Sequence, residues 1–232
     1  MTRFYKTAVT ALLSLILLAP VCALAGTKRD KRKVAQPTRA ELKQAQARLS
    51  EMGYGAGRNA LVAFQKYEGL KATGQFSRAD VEAILNARAP QPRDSGYRHV
   101  EIDLDRQVLL LIDDAGAVQK VLPVSTGSNK QYREKRASGL AYTPRGRFRV
   151  YSKLKGWRKS PLGLLYYPNY ISDGIAIHGN PSVPNTPQSH GCIRIPMSES
   201  VAMSRELPIG SIVLIYDSKS FVSAKDWADS KQ

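Results

Sequence analysis

The 232-residue chain is 43% hydrophobic and carries 35 Lys and Arg against 19 Asp and Glu, a formal charge of +16. That length holds one sizeable core and a small extra module. The excess charge either points to an anionic partner or marks a generally basic solvated surface; an export signal at the start of the chain argues against nucleic acid and for a carboxylate-rich envelope polymer.

Residues 1–25 read as that signal. Arg3 and Lys6 precede an uncharged, mostly apolar run from Thr7 to Val21, and Ala23-Leu24-Ala25 supplies a small-residue cleavage site. The run is short for a membrane span, which needs about 20 residues. An uncleaved anchor is the alternative; lipidation of Cys22 is disfavoured by the Ala19-Pro20-Val21 lead-in. Cleavage before Gly26 removes Arg3 and Lys6, leaving 207 residues and a charge of +14. It also removes Cys22, so the mature chain takes a single thiol, Cys192, into a compartment where thiols tend to pair. Such a thiol is either a reactive centre or a buried, inert residue.

Residues 26–38 are a basic tether, with Lys28 to Lys33 broken only by Asp30. Residues 39–88 carry three short helical patterns. Thr38 and Glu41 have capping-box spacing, Leu42, Ala45, Leu49 and Met52 recur at helical intervals, and Gly53 stops the run. A second helix is expected over Asn59–Glu68, burying Leu61, Phe64 and Tyr67. A third starts at Ser77, with Asp80 in the capping-box position, and buries Val81, Ile84 and Leu85. Gly53-Tyr54, Phe64-Gln65, Gly69-Leu70 and Gly74 resemble a peptidoglycan-binding helical repeat. The loop between the first two pairs is shortened, since Gly57 runs almost directly into Asn59. The module is therefore expected to contribute targeting at most, with a helical spacer as the alternative, and a chain starting near Arg93 is expected to fold and keep its chemistry.

Residues 89–96 are a linker by composition. Residues 97–217 then change to a period of two. Val100, Ile102 and Leu104 alternate with Glu101, Asp103 and Asp105, which predicts a half-buried strand. Further strands are expected at Val108–Ile112, Val118–Ser125, Arg147–Tyr151, Gly174–Ile177 and Ser211–Tyr216, with one helix near Ser198–Leu207. The fold class is mainly β, a sandwich or barrel preceded by a small three-helix module. Residues 218–232 form a C-terminal tail.

The chemistry concentrates near the end of this region. His178-Gly179 closes an apolar strand, and eleven residues after Gly179 comes His190, in Ser189-His190-Gly191-Cys192-Ile193-Arg194. Pro181, Pro184 and Pro187 limit the backbone states of the intervening loop. Two of the three histidines in the chain and the mature cysteine lie within 15 consecutive positions. A thiol needs a nearby base or cation to react near neutral pH, and His178 or His190 can supply it. Gly191 allows close backbone approach, amides there can stabilise an oxyanion, and Arg194 can fork onto a carboxylate.

Ile175-Ala176-Ile177-His178-Gly179 followed by Ser189–Arg194 resembles the signature of the YkuD-type L,D-transpeptidases. Pro123-Val124-Ser125-Thr126-Gly127, Thr143-Pro144-Arg145-Gly146-Arg147-Phe148 and Leu207-Pro208-Ile209-Gly210 support the match. The resemblance implies Cys192 as nucleophile and His178 as proton acceptor and donor, oriented by the Gly179 carbonyl. It implies that Ser189, His190 and Gly191 shape the site and its oxyanion hole, and that Arg194 holds a substrate carboxylate. The donor would be a tetrapeptide stem releasing D-alanine. The acceptor would be a second stem, an envelope protein or water. β-Lactams, carbapenems above all, would be covalent inhibitors, and no cofactor is required. Two readings compete: zinc held by His178, His190 and Cys192, and a non-catalytic wall-binding protein that keeps the fold.

Overall fold

A computed structural model describes residues 36–135 and 137–220. The expected signal peptide, most of the tether and most of the tail lie outside the described residues. Among the described residues no helix is long and apolar enough to cross a membrane.

Helix α1 spans Arg39–Glu51, α2 Gly57–Tyr67 and α3 Arg78–Asn86. Both predicted capping boxes form. The Thr38 hydroxyl accepts from Glu41 N–H while the Glu41 carboxylate accepts from Thr38 N–H, and Ser77 and Asp80 do the same for α3. Helix α2 begins two residues ahead of Asn59 and has no side-chain cap. The side chains that gave the stretch its glycan-module look hold its own fold. The Gln65 amide donates to Asp80 at 2.9 Å and to Thr73 at 3.2 Å, and its carbonyl accepts from Gly74 N–H at 2.9 Å.

Twelve strands follow among the described residues, packed as a sandwich with a hairpin beside it. The first sheet runs β3 (Val118–Pro123), β2 (Val108–Ile112), β1 (His99–Asp103), β12 (Ile212–Tyr216), β6 (Gly146–Arg149). The second runs β11 (Ile193–Pro196), β10 (Ile175–Asn180), β9 (Gly163–Ser172), β7 (Ser152–Lys153), and β8 (Trp157–Ser160) pairs with the start of β9. β4 (Gln131–Glu134) and β5 (Ala137–Leu140) form the separate hairpin. Helix α4 (Met197–Glu206) joins β11 to β12. One core lies between the sheets, with Val100, Ile102, Leu109, Val213 and Ile215 on one side and Ile171, Ile177, Ile193 and Ile195 on the other, closed by Met203 and Leu207.

The opposite face of the first sheet makes a second core with the helices. Val108, Leu110, Ile112 and Val121 pack with Leu49, Leu61, Phe64, Val81 and Ile84. Val121 N–H also donates to the Gly53 carbonyl at 2.9 Å, tying the end of α1 to strand β3. The helices and the first sheet thus share a packed core. Strand β2 is apolar at every position because both of its faces are covered.

Two further expectations change. β1 is buried throughout rather than half-buried. Glu101 points away from the inter-sheet core but meets the expected linker: its carboxylate accepts from Arg93 N–H and Asp94 N–H at 2.8 Å and from the Tyr216 hydroxyl at 2.9 Å. Strand β9, the longest in the fold, was not expected. It contains Pro168, and its register to β10 shifts between Ile177 and Gly179, beside Tyr167 at φ 49°.

Candidate active site

Strands β10 and β11 run parallel, with Ile177 opposite Ile193 and His178 opposite Arg194. Ile177 and Ile193 enter the inter-sheet core. The alternation of a strand therefore turns His178, Cys192 and Arg194 to the outer face. His178 lies inside β10, which continues to Asn180, rather than at its end.

That outer face opens into a cavity of about 360 Å³ lined by His178, Asn180, Ser189, His190, Cys192 and Arg194. The β8–β9 hairpin forms its other wall through Arg158 to Leu165, and Ala137 reaches it from β5. Among the described residues no carboxylate lines this cavity. Sequence reasoning missed Asn180, Tyr170 and the hairpin, because β8 is polar and largely exposed and shows no alternation that would mark it as a strand.

His178 is 4% exposed and its Nδ1 lies 2.9 Å from the Gly179 carbonyl. A carbonyl only accepts, so Nδ1 carries the proton and Nε2 is left as the basic nitrogen. Burial pulls the imidazole pKa down to about 4, helped by the Arg194 charge and opposed by the bond to Gly179. Burial also pushes the Cys192 thiol up, opposed by Ala176 N–H and by Arg194. At rest the pair is therefore a neutral thiol and a neutral imidazole. Burial lowers Arg194 as well, and no carboxylate pairs with it among the described residues.

The turn before Cys192 is held from within. The Ser189 hydroxyl accepts from Gly191 N–H at 3.0 Å and donates to the Cys192 carbonyl at 2.6 Å. Gly191 sits at φ +141°, and a Cβ there would meet Tyr142 O at 2.8 Å and Ile175 Cδ1 at 2.7 Å. Thr143 closes the turn from the neighbouring chain segment, donating to the Gly191 carbonyl at 2.6 Å and accepting from Gly127 N–H at 2.8 Å. Because Gly191 N–H is taken, the turn amides left free among the described residues are those of His190 and Cys192. Gly179 is required for packing, since a Cβ there would collide with the Ser200 hydroxyl.

His190 lines the same cavity but has partners of its own. Its ring stacks edge-on against Tyr132 at 4.6 Å, and its Nε2 lies 3.6 Å from the Glu134 carboxylate, so the β4–β5 hairpin holds it. Among the described residues no three His, Cys, Asp or Glu side chains group as metal ligands, so His178, His190 and Cys192 do not form the zinc set of the competing reading.

Comparison with known proteins gives the family. Residues 97–215 match the L,D-transpeptidase catalytic domain family, YkuD. The L,D-transpeptidase of Xylanimonas cellulosilytica DSM 15894 is 36% identical at a TM-score of 0.70, over 78% of this chain and 95% of that one. An L,D-transpeptidase of Stackebrandtia nassauensis is 19% identical at a TM-score of 0.47, over 78% and 93%. One from Enterococcus faecium is 23% identical at 0.42, over 53% and 50%. A comparison with curated proteins gives no match. The chain belongs to the L,D-transpeptidase family and is a peptidoglycan L,D-transpeptidase.

Proposed function

We propose that this transpeptidase works through a thioester on Cys192 with His178 as its general base. The observation that carries the reading is one cavity holding a thiol, an imidazole whose Nε2 is the basic nitrogen, and a guanidinium that no carboxylate pairs with among the described residues. The Cys192 S–H proton passes to His178 Nε2 as sulfur attacks the carbonyl of the third stem residue. The oxyanion is met by the free amides of Cys192 and His190. His178 then gives its proton to the leaving D-alanine amine, and the C–N bond breaks. An acceptor amine attacks the thioester, His178 takes its proton, and the thiol is restored. Arg194 holds a stem carboxylate.

The acceptor is a second stem or an envelope protein; with water the same steps trim the stem. Mass spectrometry of products from purified tetrapeptide muropeptides tests the reading. Products lacking D-alanine and joined through the third residue support it, and unchanged muropeptides oppose it. Cys192 is also expected to be acylated by carbapenems. An L,D-transpeptidase 3 of Mycobacterium tuberculosis is described with a faropenem-derived adduct, a property of that protein; here the expectation rests on the thiol.

The protein works outside the cytoplasm, delivered by the signal of residues 1–25 and held near anionic sacculi by its +14 charge. Sequencing envelope protein should give Gly26 as the first residue; a full-length chain in the cytoplasm opposes this.

A further inference from the structure

Helix α2 carries a buried cation that the acyl-transfer steps do not use. Lys66 is 7% exposed. Its Nζ donates to the carbonyls of Val124 at 2.8 Å, Pro184 at 3.4 Å and Gln107 at 3.5 Å. No carboxylate pairs with it among the described residues. Burial pulls its pKa down to about 8, so it stays mostly charged at neutral pH. A buried charge with carbonyl partners alone is costly, and a residue that merely packed the helix would be better apolar.

The three carbonyls come from separate segments. Gln107 lies just before β2, Val124 just after β3, and Pro184 in the loop that joins the His178 strand to Cys192. The same loop touches the helical module again, where Asn185 Nδ2 donates to the Ala72 carbonyl. From there the contacts run to the site. The Ser125 hydroxyl donates to the Thr186 carbonyl at 2.8 Å and accepts from Gln188 N–H at 3.2 Å. Ser125 and Arg194 exchange backbone bonds at 3.1 and 3.0 Å, and Ser189 N–H donates to Thr126 at 2.9 Å.

We propose that Lys66 is a positioning residue for the acyl transfer: with the Asn185–Ala72 bond it clamps the loop of residues 181–188 onto the helical module and so sets where Cys192 stands against His178. This rests on Cys192 and His178 being the reacting pair. The module is then part of the catalytic scaffold, whatever it does toward glycan.

The test uses the full mature chain with Lys66→Met, Lys66→Arg and Asn185→Ala, assayed well below each unfolding midpoint. Imipenem acylation of Cys192 and kcat for tetrapeptide exchange should fall together in Lys66→Met by about 10- to 100-fold, the scale of a small misplacement of reacting groups. The donor KM should stay within about threefold, because the groups that hold the stem are untouched. Lys66→Arg should recover part of the rate. Asn185 is exposed, so Asn185→Ala should keep the wild-type midpoint and still slow acylation severalfold. If Lys66→Met does not fold, Asn185→Ala decides. Wild-type acylation rates in the folded variants overturn the clamp alone. A wild type that forms no adduct at Cys192 overturns the reacting pair and the clamp with it.

Discussion

His178 and Arg194 are cross-strand neighbours in the parallel β10–β11 pair, and the arginine charge acts both on the imidazole and on the thiol two residues before it. It disfavours the imidazolium and favours the thiolate. Burial outweighs it at the thiol and reinforces it at the imidazole. In the proposed mechanism the acyl transfer therefore starts from uncharged partners, and the proton moves as the carbon–sulfur bond forms.

That starting state sets a pH profile. His178 stays unprotonated down to about pH 4, and the thiol stays protonated through neutral pH. Acylation by imipenem should be nearly flat from about pH 5 to 8. His178→Ala should slow it by roughly 10²–10⁴-fold and make it rise with pH, because free thiolate becomes the nucleophile. His190→Ala should keep the flat profile. A profile that moves with His190 and not with His178 would reassign the base.

The same shift links to stability. His178 takes up its proton near pH 4 when folded, against an ordinary 6.5. Between those values the unfolded chain holds more protons, so stability is full above about pH 6.5 and falls as pH drops toward 4. The loss is roughly 3 kcal/mol. Urea unfolding at pH 7 and pH 4.5 should show it in wild type and show less in His178→Gln. Equal losses in both would assign the acid sensitivity elsewhere.

Arg194→Gln should act on binding and on the acid limb. A charge-assisted hydrogen bond is worth about 1.5–3 kcal/mol, or roughly a 10- to 100-fold rise in donor KM. Removing the cation also lifts the His178 pKa above about 4, so activity should fail at a higher pH than in wild type. An unchanged KM would mean that the stem carboxylate sits elsewhere, with Arg158 and Lys159 on the hairpin wall as the next cations to substitute.

Much of this was legible in the chain. Cys192 and His178 stood out because the one thiol outside the expected signal peptide shares a short stretch with two histidines, and Thr38–Glu41 and Ser77–Asp80 announced their helices by spacing alone. β9 did not, because Pro168 interrupts it and its buried and exposed positions do not alternate. Thr143 holds the Gly191 carbonyl from 48 residues away, a contact no local pattern encodes. Gln65 and Lys66 both read as polar surface on α2, yet both are buried: Gln65 is enclosed by Thr73, Gly74 and Asp80 of the module, and Lys66 by the sheet and the proline loop.

The second core yields the sharpest test of the domain organisation. A chain beginning at Arg93 would uncover Val108, Leu110, Ile112 and Val121, all at most 2% exposed in the intact protein. Each is worth about 1.5–3 kcal/mol of burial, and together they rival the whole stability of a typical domain, about 5–15 kcal/mol. Such a chain should show no cooperative unfolding transition and should not acylate. Phe64→Ala probes the same core with the chain intact. Phe64 is 0% exposed and packs edge-on against Tyr54 at 5.5 Å. Its truncation should cost about 3–5 kcal/mol. Calorimetry should record that cost as a downward shift of one transition that includes the catalytic β-sheets. Two transitions, with the catalytic one unmoved by Phe64→Ala, would show that the helices and the sheet fold independently after all.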